Sequence, residues 1–292
     1  MLKNISVEAA LEILLNLPLK PDTEKVSLSD CLGRVLSQDV YASINVPPFD
    51  RSPFDGYALR AADTHSASSL SPAVLTIIEE IPAGKEPEHE LRPGQAAKIL
   101  TGAPIPKGAD TTIKYEETEF TETEVKINNP LTANENIVFA GEDIPVGTRL
   151  AARGTVISAG LMGIFAGQGL NEIEVYKKPT IAILNTGTEL TEVGRPLMPA
   201  KIYNSNVYTL SAYLLEQGAL PFNGGTVEDN PEAIALRIDE LLKSSDMVIT
   251  TGGASVGDYD WAVTAAERTG ADILFWKTQM KPGGSIIAAE KG

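Results

Sequence analysis

The chain has 292 residues and a formal net charge of −15, from 24 Lys and Arg against 39 Asp and Glu. That length suits two domains or more, and the acidic balance argues against binding nucleic acid or an anionic membrane. A hydrophobic fraction of 43% fits an ordinary globular composition, and there is no run of about 20 apolar residues to span a bilayer. The single cysteine, Cys31, excludes an internal disulfide. The N-terminus carries Glu8 and Glu12 on a helical pattern rather than the apolar run of a signal peptide. Both features point to the cytoplasm.

Val7, Leu11, Leu14 and Leu15 recur at helical spacing after Ser6, which predicts a helix capped by Ser6 and stopped by Pro18 and Pro21. From about 41 to 143 the chain is rich in Pro, Gly and Thr, with short β-like runs at 73–78, 95–100, 111–115 and 124–127, and reads as a small all-β domain. It holds 8 basic and 17 acidic residues, so −9 of the −15 lies there. Its richest acidic tract, 116–124, reads as a solvated face. Residues 144–176 turn apolar and Gly-rich, and pair with 1–40 as a scaffold around the inserted domain.

From Pro179 onward strands and helices alternate. The run 180–184 is a strand. A helix follows with Asn204 or Ser205 as its cap, Val207, Leu210, Leu214 and Leu215 on one face, and Gly218 at its end. A second strand covers 219–227, and Asn230 with Pro231 opens a helix to about Lys243. Residues 247–250 form a third strand, buried on both faces by composition. A helix at 260–269 and a strand at 272–277 close a βαβαβαβ order, which implies one parallel sheet flanked by helices.

Ligands of open α/β sheets bind beyond the carboxyl ends of the strands. There the sequence places Asn185-Thr-Gly-Thr-Glu189, then Glu228-Asp229-Asn230, then Thr250-Thr-Gly-Gly-Ala-Ser-Val-Gly-Asp258-Tyr-Asp260, then Gln279-Met-Lys281-Pro-Gly-Gly. The third loop is the strongest candidate. Gly252, Gly253 and Gly257 permit close backbone approach, successive N–H groups ahead of a helix suit an oxyanion, and Thr251 and Ser255 add hydroxyls. It is neither a P-loop nor a dinucleotide fingerprint. Asp258 and Asp260 have the hard oxygen chemistry of Mg²⁺ ligands, although a helix cap explains either one equally well. His65 and His89 read as surface residues and Cys31 as a core thiol. Metal sites built from His and Cys are excluded by count.

Asp50-Arg-Ser-Pro-Phe-Asp55-Gly-Tyr-Ala, Ile99-Leu-Thr101-Gly-Ala-Pro-Ile-Pro, Gly141-Glu-Asp143-Ile, Asn185-Thr-Gly-Thr-Glu189-Leu, Tyr203-Asn-Ser-Asn and Thr251-Gly-Gly-Ala-Ser-Val-Gly-Asp-Tyr-Asp260 together resemble the MoeA family of molybdopterin molybdenumtransferases. The C-terminal domain of gephyrin is similar. The tracts come in the family's order and cover nearly the whole chain. The resemblance implies a multidomain α/β protein. It would have a discontinuous α/β scaffold at 1–40 and 144–176, an inserted β domain at 41–143, and a parallel, doubly wound molybdopterin-binding domain, like those of MoaB and Mog, at 177–292. It implies a homodimer in which the β domain of one subunit faces the α/β domain of the other. The implied reaction inserts molybdenum from molybdate into adenylylated molybdopterin and releases AMP, with Mg²⁺ required.

Carried over by position, the resemblance implies Asp55, Thr101, Asp143 and Lys281 as catalytic residues. Asn185, Thr186, Gly187, Glu189, Asn204, Ser205, Thr251, Gly252, Gly253, Ser255 and Gly257 would bind substrate. Asp229, Asp260 and Glu189 would hold the metal. Two departures stand out. The family usually reads Lys-Pro-Gly-Lys-Pro where this chain has Lys281-Pro-Gly-Gly284-Ser285, and family members continue past residue 292 into a further β domain. These departures are the ground for a second expectation, a non-catalytic molybdopterin-binding module or inactive fragment.

Overall fold

The structure is a computed structural model that describes residues 1–18, 20–252 and 261–291. By compactness the chain falls into two units. Met1–Val26, Gly33–Ser37 and Glu174–Gly292 make one, and Ser27–Leu32 with Gln38–Ile173 the other. The helix Val7–Leu15 lies in the first and the helix Ala159–Gly167 in the second.

The second unit is built on a six-stranded sheet. Its order is Thr111–Lys114, Gly56–Leu59, Gln95–Ile99, Ala73–Ile81, Glu124–Ile127 and Thr118–Phe120. Every pair is antiparallel except Ala73–Ile81 with Gln95–Ile99. The four runs read from sequence are all present. Two strands escaped it, Gly56–Leu59 and Thr118–Phe120. Gly56–Leu59 is buried along its whole length because this sheet is covered on both faces. Tyr57 and Leu59 join Leu75, Ile113, Val125 and Ile127 on one side, and Ala58 joins Ile81, Ile99 and Leu91 on the other. A strand buried on both faces has no alternation to read. At its start Gly56 has no room for a side chain: a Cβ would lie 1.9 Å from the carbonyl oxygen of Ile113.

In the first unit the helix Val7–Leu15 starts as the sequence requires, with the Ser6 hydroxyl accepting from Ala9 N–H. Three parallel strands form a sheet with Thr180–Thr186 in the centre, Leu220–Val227 on one side and Met247–Thr251 on the other. The helices Pro231–Leu241 and Trp261–Arg268 pack on one face of it, around Ala182, Leu184, Ile234, Leu241 and Ala265. Asn230 caps the first of these by accepting from Glu232 and Ala233 N–H, with Pro231 in the first turn. The helix Asn206–Glu216 follows Ser205, but the capping side chain is Asn204, which accepts from Val207 N–H at 3.5 Å. Leu215, expected on its packed face, is 60% exposed.

The expected four-stranded parallel sheet is not what forms. Asp272–Thr278 pairs instead with Leu2–Ile5 in parallel and with Ile287–Glu290 antiparallel, in a second three-stranded sheet. The alternation of strands and helices specified the order of elements but not the neighbour of the last strand. Leu2–Ile5, four largely exposed residues, was too short to be read as a strand at all. Met247–Thr251 is consequently an edge strand of its sheet, half-buried, with Met247 50% exposed, rather than buried on both faces.

Candidate functional site

In the β unit, three tracts that the sequence singled out separately are joined into one structure. The stretch around Asp50–Asp55 is the seam between the other two. On one side Ser52 N–H donates to Ala103 O, Gly102 N–H to Ser52 O, and Ile105 N–H to Asp50 O. On the other side Arg51 and Val138 exchange both backbone bonds, Gly141 N–H donates to Pro47 O, and Asp143 N–H donates to Val46 O. Asp50 Oδ1 accepts from Ala140 N–H.

At the end of the seam lies Asp55. The register Gly56↔Ile99 on one flank and Gly56↔Lys114 on the other brings Thr101 and Lys114 beside it. Thr101 donates both its backbone N–H and its hydroxyl to Asp55 Oδ1, each at 2.7 Å. These bonds hold the Asp55 carboxyl below the usual carboxylate range, the backbone N–H most, then the hydroxyl, with a smaller pull from Lys98. Asp55 is therefore a fixed anion whose Oδ2 has no hydrogen bond among the described residues. Phe54, Asp55, Thr101, Lys114, Glu116 and Glu117 line an open cleft of about 590 Å³. The Lys114 ammonium stands over the Phe54 ring, 5.3 Å from its centroid. Lys114, Glu116 and Glu117 were not singled out in the sequence as site residues. The available signal was their place at the end of, and just after, a strand that finishes beside Asp55. The tract read as a solvated face thus begins at the cleft.

In the α/β unit the candidate groups lie where adjacent parallel strands end. Thr186 pairs with Val227, so Glu189 and Asp229 both follow within three residues on the same edge. Both are exposed. Gly187, at φ +133°, leaves its Cβ position to the Glu189 carboxylate, which a side chain there would meet at 2.5 Å. Gly252, at φ +88°, is pressed against Thr186, whose carbonyl oxygen would lie 2.3 Å from a Cβ. Gly187 is required by its positive φ, and Gly252 by both its positive φ and its close approach to the Thr186 backbone. Ser205 is exposed and makes no side-chain cap bond, whereas Asn204 is buried. Asn185, carried over as a substrate ligand, is fully buried, with its amide shared between Gly225 O and Thr251 Oγ1. It holds the sheet together and does not face solvent. Gly253, Ser255, Gly257, Asp258 and Asp260 lie outside the described residues.

Lys281 is exposed in the turn after Asp272–Thr278. In that turn Thr278 N–H donates to Gly284 O. A Cβ at Gly284 would lie 2.5 Å from Met280 O and 2.7 Å from Thr278 O. The position where the resembled family carries a second lysine is closed to a side chain in this backbone. The remaining titratable candidates are accounted for simply. His65 and His89 are exposed, and Cys31 is fully buried, its thiol pushed up mainly by burial.

Residues 5–169 match the family described as the MoeA N-terminal region (domain I and II), and residues 182–291 match a probable molybdopterin binding domain. The chain belongs to the MoeA family. Curated molybdopterin molybdenumtransferases are similar along almost all of it. That of Bacillus subtilis is 40% identical over 98% of this chain and 67% of its own length, and that of Nostoc sp. is 36% identical over 97% and 66%. The chain thus spans about two thirds of the length of these relatives. Among solved structures, two of the MoeA protein of Pyrococcus horikoshii superpose with TM-scores of 0.90 and 0.82. Both are 32% identical to this chain; they match 98% and 99% of it and 72% of their own chains.

The MoeA relationship agrees with the mixed α/β architecture and with a molybdopterin-binding α/β region, as the motifs implied. No described helix is long and apolar enough to cross a membrane. Among the described residues no cluster of three acidic, His or Cys side chains stands ready for a metal ion.

Proposed function

We propose that the protein inserts molybdenum from molybdate into adenylylated molybdopterin, with release of AMP. The observation that carries this reading is the Asp55–Thr101 pair. A motif carried over from MoeA proteins is realised here as a carboxylate pinned by two donors at the mouth of a cleft. The same chain carries the molybdopterin-binding region.

In this reading Asp55 Oδ2 accepts from a water or a protonated oxygen of the reacting oxyanion, and Thr101 holds the carboxylate in place. In the proposed homodimer Asp143, on the loop adjoining Asp55, acts with it from the facing subunit on molybdate or an attacking water, and Lys281 would complement a phosphate or the oxyanion. At the α/β edge Gly187 and Gly252 let the substrate approach the backbone, and Thr251 supplies a hydroxyl, whereas the Thr186 hydroxyl is buried in the frame. Glu189 and Asp229 have the hard oxygen donors that Mg²⁺ takes, on one sheet edge, and so fit it. Asp260 would be the third ligand. When bound, Mg²⁺ would supply Lewis-acid polarisation of a phosphoanhydride. The protein is proposed to work as a homodimer in the cytoplasm, with the three-part domain division read from sequence.

The test is molybdate-dependent release of AMP from adenylylated molybdopterin by the purified protein, with its mass in solution measured alongside. Asp55→Asn keeps the shape and removes the charge, and is expected to lower the rate about 100-fold. Unchanged AMP release by that variant would remove Asp55 from the mechanism. No release by the wild-type protein would overturn the reaction.

A further inference from the structure

The second strand of the parallel sheet contains a bulge. Ile183 pairs with Asn223 and Leu184 with Gly225, so Gly224 has no partner on the central strand. Side chains satisfy the displaced backbone. Arg237 Nε–H donates to Gly224 O, Asn223 Oδ1 accepts from Gly225 N–H, and Asn185 Nδ2–H donates to Gly225 O at 3.3 Å. The last of these bonds fixes more than the bulge. An asparagine that gives its NH₂ to a carbonyl must present its oxygen on the other side. That oxygen, Oδ1, is 2.8 Å from Thr251 Oγ1. A carbonyl oxygen cannot donate, so the single proton of the Thr251 hydroxyl is committed to Asn185.

We infer that Asn185 is a positioning residue that sets the polarity of Thr251, so that Thr251 meets the ligand of this sheet edge as a hydrogen-bond acceptor. The group it takes is therefore a donor, an N–H of the pterin heterocycle, and not a phosphate oxygen. The inference rests on the molybdopterin reading of this site. It revises what the glycine-rich loop suggested by itself, in which Thr251 would donate to an oxyanion. The setting is rigid. Asn185 is fully buried in the central strand, with Thr251 paired to it by register. Gly252 lies too close to Thr186 for the loop's first peptide to turn away with a side chain attached.

The experiment measures equilibrium binding of molybdopterin, under anaerobic conditions, and of AMP to the wild-type protein and to Thr251→Val, each with Mg²⁺ and with EDTA. Thr251→Val is expected to weaken molybdopterin about tenfold, equally with and without Mg²⁺, and to leave AMP unchanged. Thr251→Ser keeps the hydroxyl and should bind both probes as the wild type does. Asn185→Ala should also weaken molybdopterin, but in the Thr251→Val background it should cause no further loss, because it acts only through that hydroxyl. Because molybdopterin carries its own phosphate, its dephosphorylated form is a further probe: loss of the Thr251→Val effect on that form, or equal weakening of AMP and molybdopterin, would show a donor to phosphate and overturn the inference. So would a loss seen only with Mg²⁺, which would place a cation-bound water against Thr251. Binding of molybdopterin by the wild type with no effect of Thr251→Val would overturn the inference and leave the functional reading standing. Failure of the wild type to bind molybdopterin would overturn both.

Discussion

The two units hold their candidate groups in opposite ways. In the β unit the carboxylate is tied: Asp55 receives two bonds from Thr101, and the seam behind it is closed by backbone pairs on both sides. In the α/β unit it is the frame that is tied. Asn185 bolts the three strand ends together, while Glu189 and Asp229 stand exposed at the edge without a side-chain hydrogen bond among the described residues. A group fixed in charge and direction before any ligand arrives suits one placed contact on a reacting atom. Carboxylates left uncommitted on a rigid edge suit a cation that brings its own geometry.

Substitutions can break this contrast, and the largest effect is expected at Gly56. Gly56→Ala forces a Cβ into the Ile113 carbonyl, on a strand with no free face. It should cost about 3 kcal/mol in denaturant unfolding and disturb the Asp55 cleft with it. Gly252→Ala tests the other unit. Its positive φ and its contact with Thr186 should cost about 2 kcal/mol, with the effect confined to the α/β edge. Gly284→Lys should destabilise the protein through the same kind of backbone collision, rather than restore the family's second lysine.

Thr101→Val sharpens the contrast by untying half of the Asp55 bond. The backbone donor remains, so the Asp55 carboxyl should rise only part of the way to its ordinary range, as read by carboxyl titration in NMR. The sign for stability follows. A carboxylate with a lowered folded value stabilises the fold above its unfolded value of about 3.9, and the benefit fades as pH falls through the folded value. Thr101→Val should therefore lower stability at pH 7 and shrink its fall towards acid, with the variant and the wild type drawing together by this route once pH is below the folded value. The smallest effect belongs to Tyr57→Phe. The Tyr57 hydroxyl is buried without a hydrogen-bond partner among the described residues, so its removal should leave the denaturation midpoint unchanged or raise it slightly.

What could be read in the sequence was local. Asn230 and Pro231 announce their helix because a cap and a first-turn proline act on the next three residues. Ser6 does the same. The motif tracts located Asp55 and Thr101, and the structure joins them. Lys114 was hidden because its nearness to Asp55 depends on cross-strand register with Gly56, a strand that itself gave no signal. The role of Asn185 was hidden because it depends on a bulge one strand away, and a spacing rule sees only the residue's own strand.

The pairing of Leu2–Ile5 with Asp272–Thr278 has a consequence for how the chain acquires its shape. Leu2 sits opposite Phe275, so the strand Leu2–Ile5 cannot pair until Asp272–Thr278 has been made. The six-stranded sheet closes entirely within the segment 56–127 and has no need to wait. Closing so long a loop carries an entropy penalty that grows with its length, and parallel pairs of distant segments form slowly. Refolding should then show a fast phase in the β unit. A later phase should follow in which the Trp276 fluorescence settles, as its strand meets Lys3 across the ring.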